Sequence, residues 1–498
     1  MVLKETDIFS LKEIVGANNF SCDPYNLLCY SRDLASSIPD ELLKGYGMIG
    51  AEAVLLPQDT AQVSKVLAYA NSRGIPITPR GAASWALGGV LPMEGGIVVD
   101  TCKMNRIFQF APADQFIRVQ TGIEWKRVID FLAARGFTVG ANPSSGVSAT
   151  IGGYIATGGG AGIGVTQFGG VGNQILSLKV VLSDGRIIET DPWSSFYFVG
   201  SEGTLGIICE ATLKVFPSLG RRFFMFSVDS LHRGCAILER LYEMRPYYVS
   251  FLDKGLVKLL NEAGAHHFRE SELTISTVFH GTDKQLERVS KEVQKLFVGC
   301  YRYSNEEALH EWDDRYKVGL AFKKLGPSLF AQDFRVPVRF LEEAIQELAH
   351  LLKGERYGVE SLGGENGSIV LAVMILADER DKVDYIKKFA YASDMAQIAK
   401  DLGGAPLGLG LHNSIHLSDL YEEQAIQAMK NIRSHFDPKN ILNPSKTTQV
   451  RIPAEFVNIS MMAMRGVPGL VSLGLDATKL VPSEFLRFGL SIFGKGIK

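Results

Sequence analysis

The sequence has 498 residues, 46% hydrophobic and 21% charged, with a formal net charge of −2. That hydrophobic share excludes a mainly disordered chain, the length predicts two to three domains, and the near-zero charge supplies no basic stripe for nucleic acid. Six dispersed cysteines (Cys22, Cys29, Cys102, Cys209, Cys235 and Cys300) form no Cys-x-x-Cys pair, so neither structural zinc nor an iron–sulfur cluster is expected.

In chain order, the first 45 residues read as a polar helical lead-in. Met1 to Ser10 lacks the basic-then-apolar pattern of a secretory leader, so reduced thiols and a cytoplasmic location are expected. From Ala53 to Pro217 short β-rich runs alternate with amphipathic helices. AVLLP reads as a strand, and TAQVSKVLAYANSRG as a helix stopped by Gly74. IPITPRG and GGIVVD read as strands, and WKRVIDFLAARG as a helix ending at Gly136. ILSLKVVLSDGRIIET is a hairpin turned by Asp184-Gly185. Residues 218 to about 400 form a second mixed block, with strands FFMFSV and LTISTVF and the helix FLEEAIQELAHLLKG. From Leu402 to Lys446 a glycine-rich turn, a helix and HFDPKNILNPSK follow. From Arg451 onward the text is Met- and Leu-rich, with six basic residues against three acidic ones. Pro453, Pro468 and Pro482 argue there against a single spanning helix. Such a tail packs on its own chain, docks a partner, or lies peripherally on the inner face of a membrane.

Between Gly152 and Gly172 ten of 21 residues are glycine. Glycine this dense costs conformational entropy on folding, and its usual purpose is close backbone approach, with N–H groups directed at phosphates. The alternative is a set of turns between short strands. PRGAASWALGG (79–89), ANPSSGVSATIGG (141–153) and GSEGTLGII (200–208) share the property. GGGAGIG has fingerprint-like spacing, but no clear strand precedes it and no acidic ribose partner follows, so a Rossmann reading is poor. Taken in order, PITPRGAASWALGG, GGIVVDTCKMNRI, PSSGVSATIGGYIATGGGAG, LSLKVVLSDGRIIET, FVGSEGTLGIICEATLKVFP and FDPKNILNPSK resemble the FAD-linked oxidases of the vanillyl-alcohol oxidase type. Within that family they are similar to the branch of the glycolate oxidase and D-lactate dehydrogenase flavin subunits. The resemblance spans roughly residues 45–446.

It implies an α+β fold: a PCMH-type two-subdomain FAD-binding domain with its lead-in (1–217), an α+β cap domain (218–446) and a short helical C-terminal extension (447–498). Arg80, Gly81, Ala82, Ala83 and Ser84, with Pro143, Ser144, Ser145, Ile151, Gly152 and Gly153, would wrap the FAD pyrophosphate and ribityl chain. Gly158, Gly159 and Gly160 would continue that shell. Glu202, Gly203, Gly206, Ile207 and Ile208 would follow the adenine half, and Asn443 would return to the flavin from the C-terminal end. Relatives that attach FAD covalently use a His after the Arg-Gly pair; Ala82, Ala83, Ser84 and Trp85 offer no His or Cys, which implies non-covalent FAD.

The same likeness implies hydride transfer from a 2-hydroxy acid to FAD, with electrons passed to an iron–sulfur partner subunit or a quinone. Arg315 is the candidate grip on the substrate carboxylate, from its place after Trp312 and before the strand at Asp333 to Pro337. The alternative is a solvated helix arginine paired with Asp313 or Asp314, with Arg335 and Lys323 in reserve. His412 is the candidate base, near the family's Glu-His-Gly, although Leu411 precedes it; alternatively His412 and His416 share a structural helix face. The family's metal pattern His-x-Gly-Asp-Gly-Asn-x-His corresponds to SLGGENGSIVLAV, with Leu362 and Ile369 at both His positions, so no metal is expected. Glu360 and Glu365 then read as solvated or structural carboxylates. Two further readings stand: a non-catalytic FAD electron-transfer subunit of a larger redox complex, and an FAD oxidase of an alcohol or sugar.

Overall fold

A computed structural model of the chain describes residues 3–34, 48–264 and 268–450. The C-terminal extension from 451 onward, with the roles weighed for it, lies outside the described residues.

Local signals explain the first elements. The helix Thr60–Arg73 begins where the Asp59 side chain accepts the Gln62 N–H, and ends where Gly74 takes a left-handed conformation (φ +65°). The apolar stripe Val63, Val66, Leu67 and Ala70 is fully buried against the strands Ala53–Leu55 and Ile97–Asp100. These strands belong to a four-stranded sheet in the order Phe20–Ser21, Ala53–Leu55, Ile97–Asp100, Ile77–Arg80, its last three strands parallel. The lead-in is more than polar: helix Glu5–Val15 inserts Leu11 and Val15 into this same core.

A second sheet of five antiparallel strands runs Ile107–Ala111, Phe116–Gln120, Ile207–Lys214, Ile175–Val181, Ile187–Glu189. The last two are the expected hairpin, with Gly185 at φ +86° in its turn. Helix Trp125–Ala133 covers this sheet with Trp125, Val128 and Leu132.

Residues 220–406 build an antiparallel sheet of eight strands. Its order is Tyr301–Arg302, Gly220–Val228, Leu273–Gly281, Tyr248–Asp253, Tyr357–Ser361, Ser368–Ala377, Ser328–Pro337, Ala405–Pro406. One face packs on helices Leu231–Glu243, Leu341–Leu351 and Lys382–Asp401 through Leu238, Leu241, Leu348 and Met395. The other face meets helices Lys254–Glu262 and Val318–Phe322. After Pro406 the chain turns back: Ile441 and Leu442 enter the core of the four-stranded sheet, and the Ile77 N–H donates to the Ile441 carbonyl at 2.7 Å. Among the described residues no helix is long and apolar enough to cross a membrane.

Candidate functional site

The two N-terminal sheets and the large sheet border a cleft of ≈ 1450 Å³ of empty space, the solvent at its open mouth included. Arg80, Gly81, Ala82, Ala83, Ser84, Pro143, Ser144, Ser145, Gly152, Gly153, Gly159, Gly160, Glu202, Gly203, Gly206, Ile207 and Ile208 all line it. Four segments singled out for their glycine content thus converge on one cavity. Three of the named residues do not line it. Ile151 is fully buried in the core of the five-stranded sheet. Gly158 closes the helix Ile151–Ala156. Asn443 stands behind the wall, donating through Nδ2 to the carbonyls of Gly89 (3.0 Å) and Glu202 (2.8 Å).

The cleft presents the donors that a pyrophosphate needs. Among the described residues, the backbone N–H groups of Gly81, Ala82, Ala83, Ser84, Ser144 and Ser145 have no acceptor. Uncommitted amides on small residues form an anion cradle, so this wall fits FAD. Arg80 adds less than its charge suggests. Its Nη1 donates to the Arg32 carbonyl at 2.6 Å, and its guanidinium lies over the Tyr30 ring at 5.1 Å. Much of the remaining glycine serves packing of loop against loop: Gly162 and Gly164 lie against the carbonyls of Asn142 and Gly140.

The far wall is held by the returning chain. The Glu202 carboxylate, at a residue with φ +51°, accepts the N–H groups of Leu409 (3.0 Å) and Gly410 (2.8 Å). Burial pushes that carboxyl up, while the two amides and Lys446 pull against it. Gly410 has φ +54°, and a Cβ there would strike the Leu87 carbonyl oxygen. Gly410→Ala is therefore expected to displace this loop and weaken FAD binding by at least about tenfold, roughly 1.4 kcal/mol, in a fluorescence titration of apo-protein. Unchanged affinity would remove the loop from the cofactor wall. Arg433, almost fully buried, ties the returning segment down: it donates to the carbonyls of Lys446 (2.9 Å) and Leu442 (2.9 Å) and to Asn440 Oδ1 (3.0 Å).

The candidates for chemistry fall differently. Arg315 does not line the cleft; its guanidinium packs 3.8 Å from the Trp312 ring and 4.1 Å from the Tyr316 ring, bonded to the Trp312 carbonyl and the Tyr316 hydroxyl. It is neither a solvated arginine nor paired with Asp313. His412 is also off the cleft, edge-on to Phe389 with ring centroids 5.0 Å apart. Its buried Nε2 has no partner among the described residues, and burial with the Lys446 charge pushes the imidazole down to about 4. In that segment the residues lining the cleft are Leu407 and Gly410. Leu362 lines the cleft and Ile369 is fully buried in the large apolar core; neither offers a ligating atom. Glu365 accepts the Gly170 N–H at 2.8 Å, a structural contact between the glycine loop and the large sheet.

Glu360 is not solvated, being only 8% exposed. It lies beside Ala372, and Asp333 flanks Ala372 on the other side, so both carboxylates share one face of the sheet. Asp333 lines the cleft and accepts the Trp85 Nε1–H at 3.3 Å. Burial pushes the Asp333 carboxyl up to about 6. Burial and the facing charges of Glu311 and Asp333 push Glu360 up to about 8. Glu311, restrained by a Ser276 hydrogen bond and the Arg315 charge, is raised by burial to about 7. Sequence reasoning used Asp333 only as a marker. The usable signal was phase: it alternates with Phe330, Gln332 and Phe334, which face the opposite side.

Comparison with known proteins agrees with this geometry. Residues 51–191 match the FAD binding domain family, and residues 220–447 match the family of FAD linked oxidases, C-terminal domain. The chain is 30% identical over 418 residues to D-lactate dehydrogenase of Archaeoglobus fulgidus, covering 80% of this chain and 91% of that protein. It is 26% identical to glycolate oxidase subunit GlcD of Bacillus subtilis, covering 88% and 95% respectively. It is 25% identical to the mitochondrial D-2-hydroxyglutarate dehydrogenase of Danio rerio, covering 80% and 78%. Among solved structures, p-cresol methylhydroxylase superposes with TM-score 0.76 at 14% identity, over 90% of this chain and 98% of that one, which shows the shared fold.

Proposed function

The chain belongs to the family of FAD-linked oxidases, and from that premise we propose that it oxidises a small 2-hydroxy acid of the D-lactate or glycolate kind. The observation that carries the reading is the amide-lined cleft, with the loop at 81–84 on one side and the large sheet on the other. FAD, when bound, accepts the hydride of the substrate C–H. Binding is non-covalent in this reading, because no His or Cys is among the residues lining the cleft. The six cysteines are free thiols and dispersed, so where O2 is not the acceptor onward electron transfer goes to a partner protein or a quinone.

The test is anaerobic mixing of the flavin-loaded protein with a panel of 2-hydroxy acids. Bleaching of the flavin absorbance by at least one acid is the expected result. Failure of every acid to bleach it would transfer the chain to a second reading, an electron-transfer subunit. The observation favouring that reading is that His412 and Arg315 stand off the cleft and that Leu362 and Ile369 are aliphatic.

A further inference from the structure

The titratable side chains on the cleft wall are almost all committed. Asp33 accepts the Gly88 N–H at 2.7 Å, and Glu202 is bound by Leu409 and Gly410. The Tyr154 hydroxyl donates to the Ala161 carbonyl at 2.7 Å, and Arg80 is held by the Arg32 carbonyl. Asp333 is different. Trp85 engages its Oδ2, and Oδ1 has no donor among the described residues while the side chain lines the cavity. Trp85 is itself clamped, because its ring occupies the space a Cβ at Gly408 would fill. One carboxylate oxygen is thus oriented by a fixed indole, and the other is free toward the cleft.

We propose that Asp333 is the catalytic base of this chain, with Trp85 positioning it. The assignment rests on the 2-hydroxy acid reading for its substrate. Asp333 takes the hydroxyl proton, the C2 hydrogen leaves with its electron pair to oxidised FAD, and the C2–O single bond becomes the carbonyl of a 2-oxo acid. FAD is reduced by two electrons, the acid is oxidised by two, and the proton rests on Asp333 until it is released.

Behind Asp333, across Ala372, Glu360 has no hydrogen-bond donor among the described residues and is nine-tenths buried. Glu311 stands beyond it. On the loop side the facing group is the Trp85 N–H. Burial disfavours a negative charge at Asp333 and outweighs the Trp85 hydrogen bond that favours it, so the base is active above its raised ionisation, near pH 6.

The test uses flavin-loaded full-length protein and Asp333→Asn, which keeps an acceptor for Trp85 but cannot take a proton. Expected is a fall of about 10²- to 10⁴-fold in the rate of anaerobic flavin reduction. The affinity for FAD and for a 2-oxo acid, both read by spectral titration, should stay within about threefold (~0.6 kcal/mol). Asp333→Glu should recover part of the rate, and the acid limb of the wild-type pH profile, near pH 6, should vanish in the Asn variant. An Asn variant reduced within about threefold of wild type overturns the assignment. If no 2-hydroxy acid reduces the wild type, the substrate reading fails, and infrared difference spectra between about pH 5 and about pH 7 decide Asp333 alone. A carboxyl band that Asp333→Asn lacks keeps Asp333 as the proton acceptor of the cleft, and no such band removes it.

Discussion

Arg433→Met is expected to destabilise the protein by about 3–5 kcal/mol and to strip it of flavin on gel filtration. Arg433 is 2% exposed, and its guanidinium holds the carbonyls of Leu442, Asn443 and Lys446 together with Asn440 Oδ1. Methionine fills much of the same volume but leaves those buried acceptors without a donor. The loss travels to the site because Asn443 fixes the carbonyls of Gly89 and Glu202, and Glu202 in turn fixes Gly410. Arg433→Lys should recover only part of the stability, since one ammonium cannot reproduce the planar fork. A methionine variant that melts with the wild type and keeps its FAD would show that the returning segment is held by other means.

Glu360→Gln should do the opposite, stabilising the protein by about 2–4 kcal/mol at pH 8 and leaving it unchanged near pH 4. The folded-state ionisation of Glu360 lies near 8, above the ordinary value of 4.5. The native state therefore binds a proton that the unfolded chain has released. Stability contributed at this position falls as pH rises from about 4.5 to about 8, and an uncharged amide avoids that loss. The measurement is the difference in thermal midpoint between variant and wild type across that window. A difference that does not grow with pH would mean that Glu360 ionises in the folded protein near its ordinary value, its charge solvated by water. Flavin reduction should respond far less than it does to Asp333→Asn, because Glu360 does not line the cleft.

Several features of the molecule were legible in the text of the chain. The stop at Gly74, the hairpin at Asp184-Gly185 and the strands on either side of the loop at 81–84 are local events, whereas the helix expected to reach Gly136 ends at Ala133. The local events are decided by which backbone conformations neighbouring residues permit and by the period of the apolar positions. The cleft wall was legible for the same reason: small residues were needed where backbone approaches backbone, and most of the positions named from sequence do line the cleft. Ile151 failed because the first turn of a short helix points its side chain into the core while its backbone remains near the cavity.

The chemistry of the site was not local. His412 looked suitable by type and by neighbourhood, but the turn Asn413–His416 that follows directs its ring against Phe389. Arg315 does contact Trp312, yet its guanidinium lies against the Trp312 and Tyr316 rings and not among the residues that line the cleft. Asp333 and Glu360 stand together only because both of their strands pair with the strand Ser368–Ala377 at Ala372. By itself the amino-acid order determined most of the elements and the glycine-rich segments of the cleft wall, since these depend on residues close in the chain. Which titratable groups share the cleft was decided by strand register and by the return of residues 407–447, because pairing across long sequence separation is set by what the whole core can bury.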